Sequence, residues 1–256
     1  MFLSYITWNV SPTLIDLGVW KLQWYGFLWA SCIILAYYLL LYANRHEPAE
    51  NRHGTAIIEY VFFGGLIGAR LGEVLLYNPS HYWAHPIEIL YIWQGGLASH
   101  GGAIGILVAS FLYVYRFGYS YIRLLDVLAL GMPFFGALIR IGNLMNSEII
   151  GKATTVPWGF VFVRQGETIA RHPVVLYEAL WLTIVGIVLW RLYLGKRRAA
   201  GFIAGLFFVL TFSGRFCLEF WKANADFTQL LNLPLIVLGG ILLWYSVSGG
   251  KKSANE

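Results

Sequence analysis

Long apolar runs dominate this sequence and limit the structures that it can adopt. A helix needs about 20 mostly apolar residues to cross the hydrocarbon core of a bilayer. Seven segments meet this requirement, namely residues 24–42, 57–77, 95–115, 124–144, 174–194, 201–220 and 230–247. Charged residues make up 12% of the 256 residues, whereas soluble proteins contain about a quarter. The sequence therefore predicts an integral membrane protein.

The length of these runs favours helices over strands, since strands of a membrane barrel are alternating segments of about 10 residues. We expect an all-α fold, a polytopic bundle of seven transmembrane helices that forms one membrane domain over residues 1–256. The longest polar stretch, residues 147–172, predicts a small extracytoplasmic head insertion. Cys32 and Cys217 lie inside apolar runs without partners at metal-ligand spacing, so we expect neither a disulfide nor a metal site there.

The basic residues of alternate loops predict the orientation. One side carries ten Lys and Arg residues and the other five. The larger group comprises Arg45, Arg52, Arg116, Arg123, Arg191, Lys196, Arg197, Arg198, Lys251 and Lys252, and the smaller comprises Lys21, Lys152, Arg164, Arg171 and Lys222. Because basic loops stay in the cytoplasm, we expect the N-terminus outside and the C-terminus inside. The net charge of +5 then reflects topology, and we expect no nucleic-acid partner.

Polar residues inside the predicted spans lie at a common depth. They stand near the start of spans that run inward and near the end of spans that run outward. They are Tyr25, Arg70, Glu73, His100, Arg140, Asn143, Tyr177, Glu178, Arg215 and Glu219. Ionisable groups are costly in lipid and are usually functional there. The sequence therefore predicts a polar layer in the outer half of the bilayer that binds an anionic lipid.

The arginines of this layer differ in their local partners. Arg70 and Glu73 are three residues apart, and Arg215 and Glu219 are four apart, so each pair shares a helix face and can form an ion pair. For Arg70 a structural pair is as compatible with the sequence as lipid binding. Arg140 has no acid at these spacings and needs a partner from elsewhere. We predict a lipid phosphate, which the guanidinium fork fits.

Two glycine patterns accompany the polar layer. Gly64, Gly68 and Gly72 are spaced by four, as are Gly101 and Gly105, which is typical of helices that pack closely in lipid. Packing is the role we expect for them. One pair of glycines precedes His100 and another follows it, and both keep bulky side chains away from its imidazole. This setting favours a proton-transfer role for His100 over a structural one.

Several motifs occur in an order that matches a known family. They are Trp24-Tyr25-Gly26, Gly68-Ala69-Arg70-Leu71-Gly72 with Tyr77-Asn78, His100-Gly101-Gly102, Arg-x-x-Asn-x-x-Asn-x-Glu-x-x-Gly over 140–151, Arg171-His172-Pro173, Leu176-Tyr177-Glu178, and Gly214-Arg215-Phe216 with Glu219-Phe220. In these motifs the chain resembles, nearly end to end, the bacterial phosphatidylglycerol:prolipoprotein diacylglyceryl transferases. The 140–151 signature is the most specific of them.

The resemblance implies a multi-pass protein of the bacterial cytoplasmic (inner) membrane with its active site toward the outer leaflet. It implies transfer of a diacylglyceryl group from phosphatidylglycerol to the lipobox cysteine thiol of a prolipoprotein, with a thioether formed and glycerol phosphate released, as the first step of lipoprotein maturation. The implied partners are phosphatidylglycerol, the prolipoprotein lipobox and membrane lipids. The implied chemistry needs neither a metal nor a cofactor.

Residue roles follow from the same resemblance. His100 is the expected base on the thiol, and Arg140 and Arg215 are expected to stabilise charge on the phosphate. The implied catalytic set comprises His100, Arg140, Arg215, Tyr25, Asn143 and Glu148. The implied lipid-binding set comprises Arg140, Arg215, Gly151, Asn146, Glu219, Arg70 and Tyr177.

The chain also departs from the family pattern at Gln94, Val174, Val175 and Lys222, where an acid, Ser-Gln and an arginine are usual. An inactive lipid-binding relative is therefore an alternative to an active enzyme. A transporter is another, although it needs a polar path through the inner half, where Glu59 and Asp126 lie at span ends. An intramembrane serine protease is a third, with Ser99 or Ser213 as nucleophile. Ser99 directly precedes His100, and adjacent helical residues do not face each other.

Overall fold

Helices account for most of the structure, a computed structural model that describes residues 5–18, 20–46, 56–92, 95–195, 198–224 and 230–252. The α-helices in these ranges are α1 (Trp24–His46), α2 (Ala56–Gly72), α3 (Pro79–Ala84), α4 (Ser99–Phe117), α5 (Tyr121–Met145), α6 (Val174–Leu194), α7 (Phe202–Glu219) and α8 (Asn232–Lys252). The strands are β1 (Ile6–Trp8), β2 (Thr13–Asp16), β3 (Lys21–Gln23) and β4 (Phe160–Phe162). Three of the predicted cytoplasmic basic residues lie outside the described residues, namely Arg52, Lys196 and Arg197. So does Gln94, a departure from the family pattern.

Six of the described helices are long and apolar enough to cross a membrane. They are α1, α2 with the π-helical turn Glu73–Tyr77 that continues it, α4, α5, α6 and α7. The prediction of a helical multi-pass membrane protein is thereby confirmed. Helix α8 is apolar over Asn232–Ser248 but shorter in that part than the others.

The third span begins four residues later than the sequence pattern predicted, at Ser99 rather than Gly95. Gly95 and Gly96 have φ angles of 91° and 70°, in the left-handed region that a right-handed helix excludes. Ala98 is extended, and its N–H donates to Ala69 O at 2.9 Å. The glycines before His100 thus form an extended approach to α4 rather than its first turn.

The chain contains two compact units, residues 1–40 with 125–256, and residues 41–124. In the second unit α2 and α4 pack through their glycines. A Cβ on Gly68 would lie 2.4 Å from Gly101 O, and one on Gly64 would lie 2.7 Å from Gly105 O. Backbones this close exclude any larger residue, so the predicted packing role of these glycines is confirmed.

In the first unit a buried carboxylate lies at the N-terminus of α7. Asp126 on α5 is 3% exposed and accepts hydrogen bonds of 2.8 Å from the N–H groups of Gly201 and Ala204. The first turn of a helix has N–H groups without intrahelical acceptors, and a carboxylate there also meets the positive end of the helix dipole. Asp126 is therefore a cap of α7, which agrees with its expected place at a helix end.

Short strands join the N-terminal segment to the predicted head insertion within the first unit. β1 pairs with β4 in parallel, with Ile6 opposite Phe160, and β2 pairs with β3 in antiparallel orientation. Trp8 stacks on Phe160 with ring centroids 5.3 Å apart, and its Nε1–H donates to Leu144 O at 3.1 Å. The apolar pattern of three-residue strands is too short to identify from sequence, and we did not predict them.

Candidate active site

A chain of alternating charges in the first unit centres on Glu178 of α6, which is 1% exposed. Its Oε2 lies 2.8 Å from Arg140 Nε, and its Oε1 lies 3.2 Å from Lys222 Nζ. Lys222 Nζ also lies 2.8 Å from Glu219 Oε2. Buried charges are stable only when they are paired, and each member of this series has an opposite charge beside it.

These contacts bear on two pairings considered from sequence. Arg140 obtains a partner from another helix, as we expected, and it is the carboxylate of Glu178, while the predicted lipid phosphate stays a prediction. Glu219 pairs with Lys222 rather than with Arg215, so the predicted pair of Arg215 and Glu219 is wrong. Lys222 lies beyond the end of α7, and its ammonium group approaches both carboxylates.

Arg215 differs from Arg140 in its surroundings. Among the described residues it has no ion pair within 4 Å, and its Nε is buried there without a hydrogen-bond partner. A guanidinium has five N–H donors and stays charged at all physiological pH values. Arg215 therefore brings a positive charge to the first unit that the described side chains do not neutralise by direct pairing.

The end of α5 carries an amide relay that begins at Arg140. Arg140 Nη1 donates to Asn143 Oδ1 at 3.2 Å, and Asn143 Nδ2 donates to Glu148 Oε2 at 2.7 Å. Asn146 Nδ2 donates to the other oxygen of Glu148 at 3.0 Å. The structure thus brings together Arg140, Asn143, Asn146 and Glu148, which the sequence signature placed in one site.

The backbone beside Glu148 adopts an uncommon conformation. Ser147 and Ile149 have φ angles of 57° and 58°. A positive φ is unusual for any residue with a Cβ and costly for a β-branched one such as Ile149. Strain of this kind persists where the surroundings hold the backbone in place, and it often marks functional sites. Here it turns the chain so that Glu148 faces back toward Asn143.

Gly151 lets two backbone segments meet. A Cβ at this position would lie 2.3 Å from His172 O, and Gly151 also pairs with Lys222 in an antiparallel bridge. Lys152 N–H donates to Trp221 O at 2.8 Å, which extends the pairing. The groups that come close to Gly151 belong to His172 and the Val174 side chain, and its expected part in lipid binding stays a prediction. The pairing holds Lys222 next to the polar site.

Tyr25 of α1 packs against α5 close to Arg140 in the chain. Its ring packs against Gly142, where a Cβ would lie 2.9 Å from Tyr25 Cδ2. Gly142 is two residues after Arg140. The first-span tyrosine therefore lies in the first unit together with the Arg140 relay, as the sequence motif indicated.

Tyr177 belongs to an aromatic cluster at the start of α6. Its hydroxyl accepts a 2.9 Å hydrogen bond from Trp158 Nε1 and lies 3.1 Å from His172 Nδ1. The His172 ring is 4.6 Å from the ring of Trp221. Burial lowers the pKa of His172, because the imidazolium form loses hydration. The cluster therefore disfavours the imidazolium form of His172 and fixes the tyrosine hydroxyl.

Arg70 and Glu73, in the second unit, do not pair with each other. Arg70 is 6% exposed, and its guanidinium donates to four backbone carbonyls, those of Glu88, Ile89, Gly95 and Gly96. Glu73 accepts a 2.6 Å hydrogen bond from Asn78 Nδ2. The acceptors of Arg70 are thus all backbone oxygens of the segment between α3 and α4. These hydrogen bonds give Arg70 a structural role in that segment.

His100, also in the second unit, is exposed at the start of α4. Its Nδ1 lies 3.4 Å from the hydroxyl of Tyr77, the last residue of the π-helical turn. When Nδ1–H donates to this oxygen, Nε2 has a free lone pair, which is the state that a general base requires. The structure thus shows a contact that orients the imidazole.

Sequence reasoning missed three residues of these networks. Lys222 was noted as a departure from the family pattern, although its spacing of three from Glu219 signals an ion pair. Trp158 and His172 lie in the polar stretch before α6 and were given no role. Glu178 was placed in the polar layer but not recognised as the carboxylate shared by two cations.

The chemical capacity of the first-unit site lies in its cations. Arg140 Nε is ion-paired with Glu178 and Nη1 donates to Asn143, while Nη2 has no hydrogen-bond acceptor among the described residues. Arg215 has no direct acidic partner there. Two guanidiniums with donors to spare, in a membrane span of low dielectric constant, suit a phosphodiester anion.

Comparisons with known proteins identify the family. The family model described as prolipoprotein diacylglyceryl transferase matches residues 12–245. The phosphatidylglycerol–prolipoprotein diacylglyceryl transferase of Tolumonas auensis is 40% identical over 250 residues, which cover 93% of this chain and 96% of the relative. Those of Chloroherpeton thalassium and Porphyromonas gingivalis are 39% and 38% identical, over 95% and 99% of this chain and 95% and 98% of their own. The chain therefore belongs to the prolipoprotein diacylglyceryl transferase family.

Proposed function

We propose that this transferase moves the diacylglyceryl group of phosphatidylglycerol to the thiol of a lipobox cysteine in a prolipoprotein. Both substrates are named in the relatives of T. auensis and C. thalassium. The observation that carries the proposal is the guanidinium of Arg215, which lies in a membrane span without an acidic partner among the described residues. A lipid phosphodiester supplies one negative charge to balance it.

The reaction exchanges one bond for another. The cysteine sulfur forms a bond to the terminal carbon of the diacylglyceryl group, and the bond between that carbon and the phosphate oxygen breaks. The electron pair leaves with glycerol phosphate, and the thiol proton passes to a base. A free thiol with a pKa of about 8.5 is mostly protonated at neutral pH, so the base raises the thiolate fraction.

The first-unit residues act on the phosphate in this proposal. Arg215 and Nη2 of Arg140 donate to the phosphate oxygens, and their charges stabilise the leaving group as its negative charge grows. Glu178 holds the Arg140 side chain through Nε, and Asn143 holds it through Nη1. Asn143 is kept in place by Glu148, by Asn146 and by the strained backbone beside them. The Arg140 guanidinium is therefore oriented before lipid binds.

His100 is the base on the thiol in the same proposal. Its contact with Tyr77 orients the ring and leaves Nε2 to accept the proton. Tyr25, Glu219, Gly151, Tyr177 and Arg70 act by positioning, through the contacts described above. The chemistry proposed here uses protein side chains alone.

We further propose that the enzyme lies in the bacterial cytoplasmic membrane with seven spans, α8 being the seventh. The N-terminus is then outside, the C-terminus is in the cytoplasm, residues 147–172 form the outer head, and the site faces the outer leaflet. The distribution of basic loop residues supports this orientation. Cysteine accessibility labelling of residues in successive loops tests it, and labelling of Arg164→Cys from the cytoplasmic side contradicts it.

A transporter is less compatible with the structure, because its polar path must continue through the inner half of the bilayer. Asp126, an ionisable residue expected there, uses both carboxylate oxygens to cap α7. This contact explains the charge without a transport role.

The test of the phosphate role compares arginine variants in a transfer assay. Labelled phosphatidylglycerol and a lipobox peptide are incubated with enzyme in detergent, and the thioether product is measured. Arg215→Gln and Arg140→Ala each reduce the rate by about 100-fold or more, while Arg164→Gln, an exposed head residue, leaves it unchanged. A folded Arg215→Gln enzyme with the full rate contradicts the proposal.

The test of the base compares His100→Gln with the parent enzyme across pH. The variant slows transfer by about 100-fold at saturating lipid while lipid affinity stays within about twofold, because a base acts on the chemical step. A variant rate that matches the parent at each pH removes His100 as the base.

A further inference from the structure

Three side chains between α2 and α4 form a cluster with the composition of a metal site. His81 Nε2 lies 2.8 Å from Glu88 Oε2, and the rings of His81 and His85 are stacked with centroids 5.1 Å apart. One ligand atom from each of the three residues lies within 4.8 Å of those of the others. We propose that His81, His85 and Glu88 bind a divalent transition-metal cation of the zinc class.

The local backbone explains why these residues converge. His81 lies in α3, and His85 is its C-cap, whose N–H donates to His81 O at 3.0 Å. Residues four apart lie on the same face of a helical turn. Glu88 lies one turn further along the chain, and its N–H donates to His85 O at 3.0 Å. The spacing of four and then three residues thus keeps all ligands on one side of the segment.

The buried guanidinium of Arg70 fixes the backbone segment that carries the proposed ligands. Arg70 donates to the carbonyl oxygens of Glu88 and Ile89, and its guanidinium lies 4.8 Å from the ring centre of Tyr82. Tyr82 directly follows His81, and Ile89 directly follows Glu88. Two of the three ligand residues are therefore adjacent to points at which Arg70 holds the segment. A site that is ordered before the ion arrives binds it more tightly.

The ligand chemistry favours zinc over calcium or magnesium. Imidazole and carboxylate ligands suit Zn²⁺, whereas the harder cations prefer oxygen alone. Tetrahedral ligands about 2.0–2.1 Å from the metal lie about 3.4 Å from one another. The cluster atoms lie 2.8 Å apart for one pair and within 4.8 Å for the rest, so small side-chain rotations bring them into place. His81 and His85 are exposed, which gives an ion access and leaves a fourth position for water.

The proposed metal ligands are distinct from the residues proposed for transfer chemistry. His81, His85 and Glu88 have no role in the transfer steps, and the proposed reaction proceeds with protein groups alone. The ion would link α3 to the 3₁₀ turn Pro86–Leu90 and so act on the stability of that segment. Metal binding and transfer are therefore measured separately, and either proposal can fail without the other.

The test is zinc binding by the purified full-length enzyme without a polyhistidine tag, after treatment with a chelator. Zn²⁺ is titrated in competition with a chromophoric chelator. The parent binds one equivalent, and His81→Gln, His85→Gln and Glu88→Gln each weaken binding by about tenfold or more. His46 is an exposed histidine on α1 whose Nδ1–H donates to Tyr42 O at 2.8 Å, and His46→Gln keeps the parent affinity.

X-ray absorption of the zinc-loaded parent gives a second test that needs no variant to fold. Two imidazoles and light oxygen ligands at about 2.0–2.1 Å support the site. Sub-stoichiometric binding, a spectrum with one imidazole or none, or equal affinity in folded His81→Gln and His46→Gln variants would each overturn the proposal. The transfer assay run on the chelator-treated enzyme then shows whether the reaction depends on the ion.

Discussion

Glu178 offers the sharpest test of the charge network, because its carboxylate lies between two cations. Arg140 Nε is 2.8 Å and Lys222 Nζ is 3.2 Å from its oxygens, and the side chain is 1% exposed. Glu178→Gln keeps the shape and removes the charge. Removing one partner from a buried ion pair costs about 3–5 kcal/mol, because the remaining charge stays buried without compensation. We expect a loss of stability in this range.

The assay is thermal unfolding of the purified protein in one detergent at one protein concentration. For a chain of this size, 1 kcal/mol corresponds to about 2–4 °C in the unfolding midpoint. The expected loss then lowers the midpoint of Glu178→Gln by about 6–20 °C. Glu167→Gln is the matched control, since Glu167 bonds Arg171 at 2.9 Å but its side chain is 22% exposed. Such a surface pair contributes about 1 kcal/mol or less.

Equal midpoints for Glu178→Gln and Glu167→Gln would refute the reasoning. A double variant adds a second criterion. Lys222→Met removes a cation beside Glu178, so Glu178→Gln with Lys222→Met leaves less uncompensated charge than Glu178→Gln alone. The two changes should be non-additive by about 1–3 kcal/mol, as found for residues in one network. Strict additivity would show that Glu178 and Lys222 do not interact.

Three further predictions concern packing, pH and helix capping. Gly68→Ala places a Cβ 2.4 Å from Gly101 O, and we expect it to lower the unfolding free energy by about 1–3 kcal/mol. Burial lowers the pKa of His172, so stability is highest above the unfolded-state pKa of about 6.5 and falls as pH decreases toward the folded-state value. His172→Gln removes this part of the pH dependence. Asp126→Ala leaves two N–H groups of α7 without their acceptor and costs about 1–3 kcal/mol.

Each of these has a matched control in the same unfolding assay. Gly240 lies on α8 with open space where a Cβ would be, so Gly240→Ala leaves the unfolding midpoint unchanged. A Gly68→Ala midpoint that is also unchanged would contradict the packing role of Gly68. The parent profile is the control for His172→Gln, and a parent-like profile in that variant would remove His172 as the source of the pH dependence. Asp16 is an exposed acid at the end of β2 that pairs with Lys21 of β3, and Asp16→Ala costs less than Asp126→Ala if Asp126 caps α7.

The sequence predicted the helices well because membrane spans are set by apolar length. The predicted fifth span coincides with α6 at Val174–Leu194, and the sixth differs from α7 by one residue at each end. The third span was placed too early, since a hydropathy pattern does not register that Gly95 and Gly96 adopt positive φ. Conformation at single glycines is a local geometric property, and apolar length carries no information about it.

Some of the predicted site residues come together in the structure, but their pairings were not predicted. Arg140, Asn143, Asn146 and Glu148 come together because they lie within one short segment. The pairing of Arg140 with Glu178 depends on how α5 and α6 pack, which residue spacing does not show. Spacing suggested pairs within single helices for Arg70 and Arg215, yet carbonyl oxygens bind the first and Lys222 takes the carboxylate next to the second.

The pairing of β1 with β4 has a consequence for the order in which the protein is made. Ile6 lies opposite Phe160, so the two partners are separated by more than half of the chain. At a synthesis rate of about 5–20 residues per second, the first strand waits about 8–30 s for its partner to emerge from the ribosome. During that interval the backbone donors and acceptors of Ile6–Trp8 lack their native neighbour, and Trp8 lacks Phe160. Closure of this parallel pair is therefore a late event of biogenesis, after several spans have been inserted.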